Sequence, residues 1–66
     1  MQNQIAQYRK QAGLSQQQLA DAINVSRKTI STVETSRFTP SVIIALKIAH
    51  YFNTSVESLF VLELDD

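Results

Sequence analysis

One short stretch in the first half of the chain, residues 24–34 (NVSRKTISTVE), brings together side chains that suit contact with a polyanion. Arg27 and Lys28 follow Ser26, a residue type that often caps the start of a helix. A helix start attracts phosphate, and arginine and lysine carry the donors that read guanine edges. Small hydroxyl side chains follow at Thr29, Ser31 and Thr32. Because they allow close approach to bases while still offering hydrogen bonds, the stretch predicts contact with DNA.

Charge is unevenly distributed along a chain that is neutral overall. Residues 1–50 hold all six cations and two anions, a sum of +4, whereas residues 51–66 hold four anions and no cation, a sum of −4. This asymmetry indicates one region for a polyanion and another for a different partner. Ordinary solvated surface charge would produce the same pattern, so charge alone does not decide between the two interpretations.

Several other kinds of chemistry lack the residues they need. The 66-residue chain has no cysteine and a single histidine, His50, so neither a disulfide nor a zinc site is expected. No metal-ligand set, catalytic triad or phosphate loop is visible, so we expect no enzymatic activity and no cofactor. The polar N-terminus is unlike a signal peptide, and the most apolar run, residues 42–52, is too short to span a bilayer and contains Lys47. We therefore expect a cytoplasmic protein with no membrane partner.

The elements that must position the DNA-reading stretch are helices. The chain has only one glycine and one proline, and the spacing of its apolar residues predicts five short helices. The first is expected over about residues 2–12, with Gly13 as its stop. The second begins after Ser15, which can form a capping box with Gln18, and Asn24 should end it in a left-handed conformation.

The remaining helices are predicted in the same way. The third begins after its serine cap with a polar outer face. Thr39 is expected to cap a fourth helix with Pro40 in its first turn. That helix runs to about Phe52, with Asn53 as its stop, and is apolar on most sides, so it should be central. Ser55 should cap a short fifth helix, and the tail, residues 60–66, is a candidate for a short strand.

Only three or four residues separate the predicted second and third helices, which is the spacing of a helix-turn-helix. In that motif the second helix enters the major groove, and residues near its N-terminus meet the base edges. The sequence therefore predicts one all-α domain over residues 1–66, a compact five-helix helix-turn-helix domain. Residues 60–66 would serve as a tail or as a dimerisation strand.

A resemblance to a known family rests on two segments. The stretch LSQQQLADAINVSRKTISTVE (14–34) resembles the Cro/phage-repressor (Xre-type) helix-turn-helix regulators, and TPSVIIALKIAHYFNTSVESLF (39–60) is similar to the following helices of their small dimeric Gram-positive members. The resemblance implies a lambda-repressor-like fold and binding to the major groove of double-stranded DNA. The family usually has glycine where Asn24 and Asn53 stand, and Asn-Gly where Thr35 and Ser36 stand. Asparagine tolerates the left-handed conformation, whereas the Thr-Ser pair leaves the loop geometry open.

The resemblance also implies individual residue roles. It implies phosphate contacts from Gln16, Thr29 and Arg37, and an ion pair between Arg9 and Glu34 that braces the first helix against the third. The side chains that it turns towards bases are those of Ser26, Arg27, Lys28 and Thr32. In the loop after the third helix, we expect Phe38 to act as an anchor.

A single recognition helix reads too few base pairs for useful specificity in a genome, so a second copy of the chain is required. We therefore predict a homodimer on a palindromic operator with half-sites about 34 Å apart. The predicted interface is the apolar, acidic C-terminal part, with Tyr51, Phe52, Phe60, Val61, Leu62 and Leu64. The expected function is regulation of transcription, with repression by site occlusion as the main expectation and activation by contact with polymerase left open, and a protein co-regulator is a further candidate partner. The alternative is an antitoxin-like protein-interaction module whose DNA binding is secondary.

Overall fold

The computed structural model describes residues 1–37 and 39–66, so Phe38, the expected loop anchor, lies outside the described residues. The helices are α1 (Ile5–Gln11), α2 (Gln16–Ile23), α3 (Arg27–Glu34), α4 (Val42–Tyr51) and α5 (Val56–Leu59). Two short strands, β1 (Gln2–Asn3) and β2 (Phe60–Val61), pair in an antiparallel sheet. The predicted five-helix architecture and the strand in the tail are confirmed. No helix within these described ranges has the length and apolar character needed to cross a membrane.

Serine hydroxyl groups cap the N-termini of four helices by accepting the backbone N–H three residues further on. These caps are Ser15, Ser26, Ser41 and Ser55. The predicted capping box is confirmed, because the Ser15 N–H also donates to Gln18 Oε1 at 2.8 Å. The prediction that Thr39 caps α4 with Pro40 in its first turn is wrong: Ser41 caps it, with its Oγ 3.2 Å from the N–H of Ile44. Serine is the stronger N-cap of the two residue types, and the helix starts two residues later than expected.

Four helices end at a residue with a left-handed backbone. These residues are Gly13 (φ 72°), Asn24 (φ 60°), Ser36 (φ 60°) and Asn53 (φ 53°). In each case the next residue donates its N–H to a carbonyl five positions back, as Arg37 does to Thr32 at 3.1 Å. The predicted stops at Gly13, Asn24 and Asn53 are confirmed. Ser36 takes the same role without the freedom of glycine, at a cost of about 1–2 kcal/mol.

The N-terminal residues depart from the prediction. The first helix was expected from residue 2, but Gln2 pairs with Val61 and Asn3 with Phe60, so this segment is a strand. The Asn3 side chain then accepts the N–H of Ile5 at 3.2 Å and so helps α1 to begin there. The tail strand therefore pairs with the start of its own chain, and its predicted use as a dimerisation strand would have to involve its other edge.

The core takes one large, fully buried side chain from each helix. These are Ile5, Leu19, Ile30, Ile48 and Leu59. Burying side chains of this size contributes about 1.5–3 kcal/mol each, which makes them the main source of stability. Phe52 and Phe60, both predicted for a dimer interface, are half-buried and pack against this core in their own chain. The ring of Phe52 lies 5.5 Å from that of Tyr8, measured between centroids.

Helix α4 is not covered on all sides, contrary to the expectation that it is central. Ala45, Ile48 and Ala49 face the core. The opposite side carries Val42, Ile43 and Leu46, which are 74%, 67% and 55% exposed. A chain of 66 residues buries too small a share of its surface to enclose a helix completely, so one apolar side of α4 faces outward.

The two ends of the described chain meet beside the sheet. The amino group of Met1 lies 3.1 Å from carboxylate oxygens of both Glu63 and Asp66. Hydrogen bonds to the Glu63 and Asp66 carboxylates raise the pKa of this amino group above its usual value. The contacts are exposed to solvent, so they add little to stability but do favour the pairing of β1 with β2.

Candidate nucleic-acid interface

Helices α2 and α3 form a compact unit joined by a three-residue turn, residues 24–26. Asn24 reverses the chain, and its N–H returns to the carbonyls of Ala20 and Asp21. Val25 is half-buried against the core, and Ser26 opens α3. Because both helices bury one side in the shared core, their outer sides and the start of α3 are left facing solvent. This is the arrangement of a helix-turn-helix.

Arg27 and Lys28 occupy the first two positions of α3, and both side chains are exposed. Within residues 1–37 and 39–66, neither forms an ion pair. Their charges therefore add to the positive end of the α3 dipole without internal compensation. Two free cations beside the unsatisfied N–H groups of a helix start suit an anionic partner such as DNA.

The hydroxyl groups of α3 are partly engaged by the helix itself. Ser26 Oγ accepts the N–H of Thr29 at 3.1 Å and shares a hydrogen bond of 2.8 Å with Thr29 Oγ1. Thr32 Oγ1 donates to the carbonyl of Thr29 at 3.1 Å. Ser31 is half-buried on the same helix. Their remaining capacity is mainly to accept hydrogen bonds, so the cations, and not the hydroxyl groups, dominate the donor capacity of this surface.

Arg9 and Glu34, which were predicted to pair, lie within hydrogen-bonding distance. Arg9 Nε is 2.7 Å from Glu34 Oε2, and Nη2 is 3.3 Å from Oε1. Arg9 Nη1 also donates to the carbonyl of Leu14 at 2.8 Å, immediately before the capping box of α2. Gln16 Nε2 donates to Glu34 Oε1 at 3.1 Å. The predicted phosphate-binding glutamine thus belongs to a network that ties α1, α2 and α3 together.

Arg37 is exposed in the turn that follows α3. Its N–H donates to the carbonyl of Thr32 at 3.1 Å, and the residues before it are held by Asn3, whose Nδ2 donates to the carbonyl of Val33 at 2.8 Å and to Ser36 Oγ at 3.3 Å. The sheet at the chain ends is therefore bonded directly to the end of the recognition helix. Asn3 was missed by the sequence reasoning, because its partners are about 30 residues away and no local pattern points to them.

A second surface, the apolar face, is separate from the helix-turn-helix. It carries the exposed side chains of Val42, Ile43 and Leu46 on α4 and of Val61, Leu62 and Leu64 in the tail. A groove of about 220 Å³ is lined by Val42 and Leu46 of α4 together with Val56 and Phe60, and none of its lining residues belongs to α2 or α3. Tyr51, also predicted for an interface, is 43% exposed. The α4 residues were not predicted, although apolar residues at positions 42, 43 and 46, beside the buried set, could have indicated a second apolar side.

Comparison with known proteins agrees with this geometry. Residues 5–59 match the helix-turn-helix family HTH_3. An uncharacterized HTH-type transcriptional regulator of Methanocaldococcus jannaschii is 38% identical over 66 residues, all of both chains. The N-terminal DNA-binding domain of SinR from Bacillus subtilis superposes with a TM-score of 0.78 at 30% identity, covering 91% of this chain and 88% of that one. The restriction-modification controller protein C.AhdI from Aeromonas hydrophila gives a TM-score of 0.77 at 28% identity, with 85% of each chain covered.

Proposed function

The chain belongs to the Xre-type helix-turn-helix family of DNA-binding transcriptional regulators, and from this premise we propose that it is a homodimeric repressor of a palindromic operator. The observation that carries the proposal lies at the N-terminus of α3, the second helix of the motif. Arg27 and Lys28 are exposed there, and neither forms an ion pair among the described residues. Occupation of the operator would then block access of polymerase to the promoter.

The base-reading set in this proposal is led by Arg27 and Lys28. An arginine or lysine at a base edge most often pairs with O6 and N7 of guanine, so each half-site should contain G·C pairs. Thr32 and Ser26 would accept hydrogen bonds from base edges or approach the methyl group of thymine. Ser31, on the same helix, would add a further hydroxyl contact.

Sequence-independent contacts would fix the register of the protein on the duplex. In our proposal Gln16 and Thr29 contact one strand near the start of the motif, and Arg37 contacts the backbone beyond the end of α3. The exposure of Arg37 and the firm attachment of its turn through Asn3 support this assignment.

The proposed dimer forms through the apolar face. Exposed apolar side chains of the size found at Val42, Ile43 and Leu46 are costly to leave in water, and Val42 and Leu46 also line a groove with Phe60. The proposed interface keeps Val61, Leu62 and Leu64 from the sequence prediction and extends onto α4. Tyr51 is exposed but lines a different cavity, with Ala22 and Asn24, so it is not part of this face. Two-fold pairing across this face would leave both recognition helices free and bring them to half-sites about 34 Å apart.

Selection of bound duplexes from a random pool tests the proposal. We expect an enriched inverted repeat with G·C pairs in each half. On that sequence Arg27→Ala should cost about 1–3 kcal/mol and relax the preference at one position. Lys10→Ala is the matched control, because Lys10 is an exposed cation on α1, outside the motif and the proposed interface, and its loss should change affinity little. Equal loss of affinity by Arg27→Ala on all sequences would make Arg27 a phosphate contact instead.

A further inference from the structure

The carboxylate of Glu34 is the meeting point of three helices. It ends α3, and its side chain is only 6% exposed. Oε2 accepts the Nε–H of Arg9 at 2.7 Å, while Oε1 accepts both Arg9 Nη2 at 3.3 Å and Gln16 Nε2 at 3.1 Å. One carboxylate therefore holds both the brace between α1 and α3 and the side-chain amide at the first position of α2.

The carboxylate is a fixed acceptor. The planar guanidinium of Arg9 contacts it through two nitrogens and is itself held through Nη1 by the carbonyl of Leu14. This fork leaves Glu34 little freedom to rotate. The positive charge of Arg9 also offsets the negative charge of Glu34, which would otherwise repel a phosphate near the start of α2.

The amide of Gln16 has two N–H groups, and Glu34 engages one of them. In the part of the chain that the structure describes, the second N–H has no acceptor. Gln16 is half-buried at the start of α2, where the helix dipole favours an anion. A flexible glutamine loses rotational freedom when it binds, and an amide that is already held avoids part of that loss.

We propose that Glu34 is a positioning residue for DNA binding: it holds the amide of Gln16 so that the second N–H donates to a phosphate oxygen of the duplex. The proposal rests on the proposed function, because it needs the phosphate contact of Gln16. It makes the ion pair part of the recognition surface and not only a brace within the fold.

A double-mutant cycle on DNA affinity tests the proposal. Arg9→Met/Glu34→Leu removes the acceptor without stranding a charge, and Gln16→Ala is introduced into both this background and the parent. Binding is measured by fluorescence anisotropy with a labelled 20-base-pair duplex from the selection and with a scrambled duplex, after circular dichroism has shown each variant to be folded. Gln16→Ala should weaken binding to both duplexes about ten-fold in the parent, as expected for a bond to a charged acceptor. In the double-mutant background it should change binding less than about two-fold, because the amide is no longer held.

A conservative variant separates positioning from charge. Arg9→Met/Glu34→Gln also lacks both charges, but its amide oxygen can still accept from Gln16. It should recover most of the affinity that Arg9→Met/Glu34→Leu loses. The proposal is overturned if Gln16→Ala weakens DNA binding by the same factor in both backgrounds, or if it has no effect on DNA binding in the parent. Neither result would contradict the proposed function as a DNA-binding protein. Failure of the parent to bind either duplex overturns the proposed function as well.

A measurement on the parent alone keeps the proposal testable if the variants do not fold. The side-chain amide resonances of Gln16 in a nitrogen–proton correlation spectrum should shift when the scrambled duplex is added, because a new acceptor meets the second N–H. The exposed Gln17, whose Nε2 donates to Asp21 at 2.9 Å, provides the comparison and should shift less. Unchanged Gln16 resonances at saturating duplex would overturn the proposal.

Discussion

Replacing Glu34 by alanine removes three hydrogen bonds to one carboxylate, two from Arg9 and one from Gln16. Arg9 loses the most, because its side chain is only 12% exposed and its charge would have no compensating carboxylate. Its guanidinium would keep a single acceptor, the carbonyl of Leu14 at 2.8 Å. Removing one member of a buried ion pair costs about 3–5 kcal/mol, mainly because the remaining charge is left without compensation.

That cost is large for a chain of this size. At about 0.05–0.15 kcal/mol per residue, 66 residues give a free energy of unfolding of about 3–10 kcal/mol. In a domain of this length, 1 kcal/mol shifts the melting temperature by about 4–8 °C. Glu34→Ala should therefore lower the melting temperature by about 12 °C or more, and a parent near the lower limit would be largely unfolded at room temperature.

Thermal and urea melts followed by circular dichroism measure this effect. Glu57→Ala is the matched control, because Glu57 is an exposed glutamate in the first turn of α5, and its loss should cost at most about 1 kcal/mol. Arg9→Met/Glu34→Leu should be milder than Glu34→Ala, since no charge is stranded. A Glu34→Ala melt within about 3 °C of the parent would refute the reasoning, because it corresponds to less than about 1 kcal/mol.

Three further changes test other parts of the structure. Leu46→Asp on the exposed side of α4 should keep the helical circular dichroism spectrum but convert the proposed dimer to a monomer in ultracentrifugation at micromolar concentration, and a persistent dimer would place the interface elsewhere. Ser15→Ala removes the capping box of α2 and should lower the free energy of unfolding, measured in urea, by about 1 kcal/mol. Ser36→Gly should raise that free energy by up to about 1 kcal/mol, because glycine adopts the left-handed backbone without steric cost, and a loss would mean that the bond from Asn3 to Ser36 Oγ matters more.

Helix ends were readable from the sequence because their physics is local. The capping box of Ser15 with Gln18 and the left-handed stops at Gly13, Asn24 and Asn53 each depend on hydrogen bonds between residues three to five apart. The same locality explains why the helix-turn-helix could be located from residue spacing. The candidate DNA-reading side chains could be predicted in the same way, because burial of Ile30 and Val33 leaves the start of α3 exposed.

One error is local, because Ser41 and not Thr39 caps α4. The other errors fall where distant residues decide the outcome. Residues 2 and 3 have side chains compatible with a helix, but they form a strand because Phe60 and Val61 offer an edge to pair with. The sequence by itself determined the number of helices, the caps of α2, α3 and α5, the left-handed stops at Gly13, Asn24 and Asn53, and the residue types at the N-terminus of α3. Only the tertiary structure decided that Phe52 and Phe60 turn into the core while Val42, Ile43 and Leu46 turn outward. An apolar side chain is removed from water only where another element packs against it. A chain this small has too few elements to cover all of α4, so the placement of its neighbours, and not the apolar pattern, decides which side of α4 stays exposed.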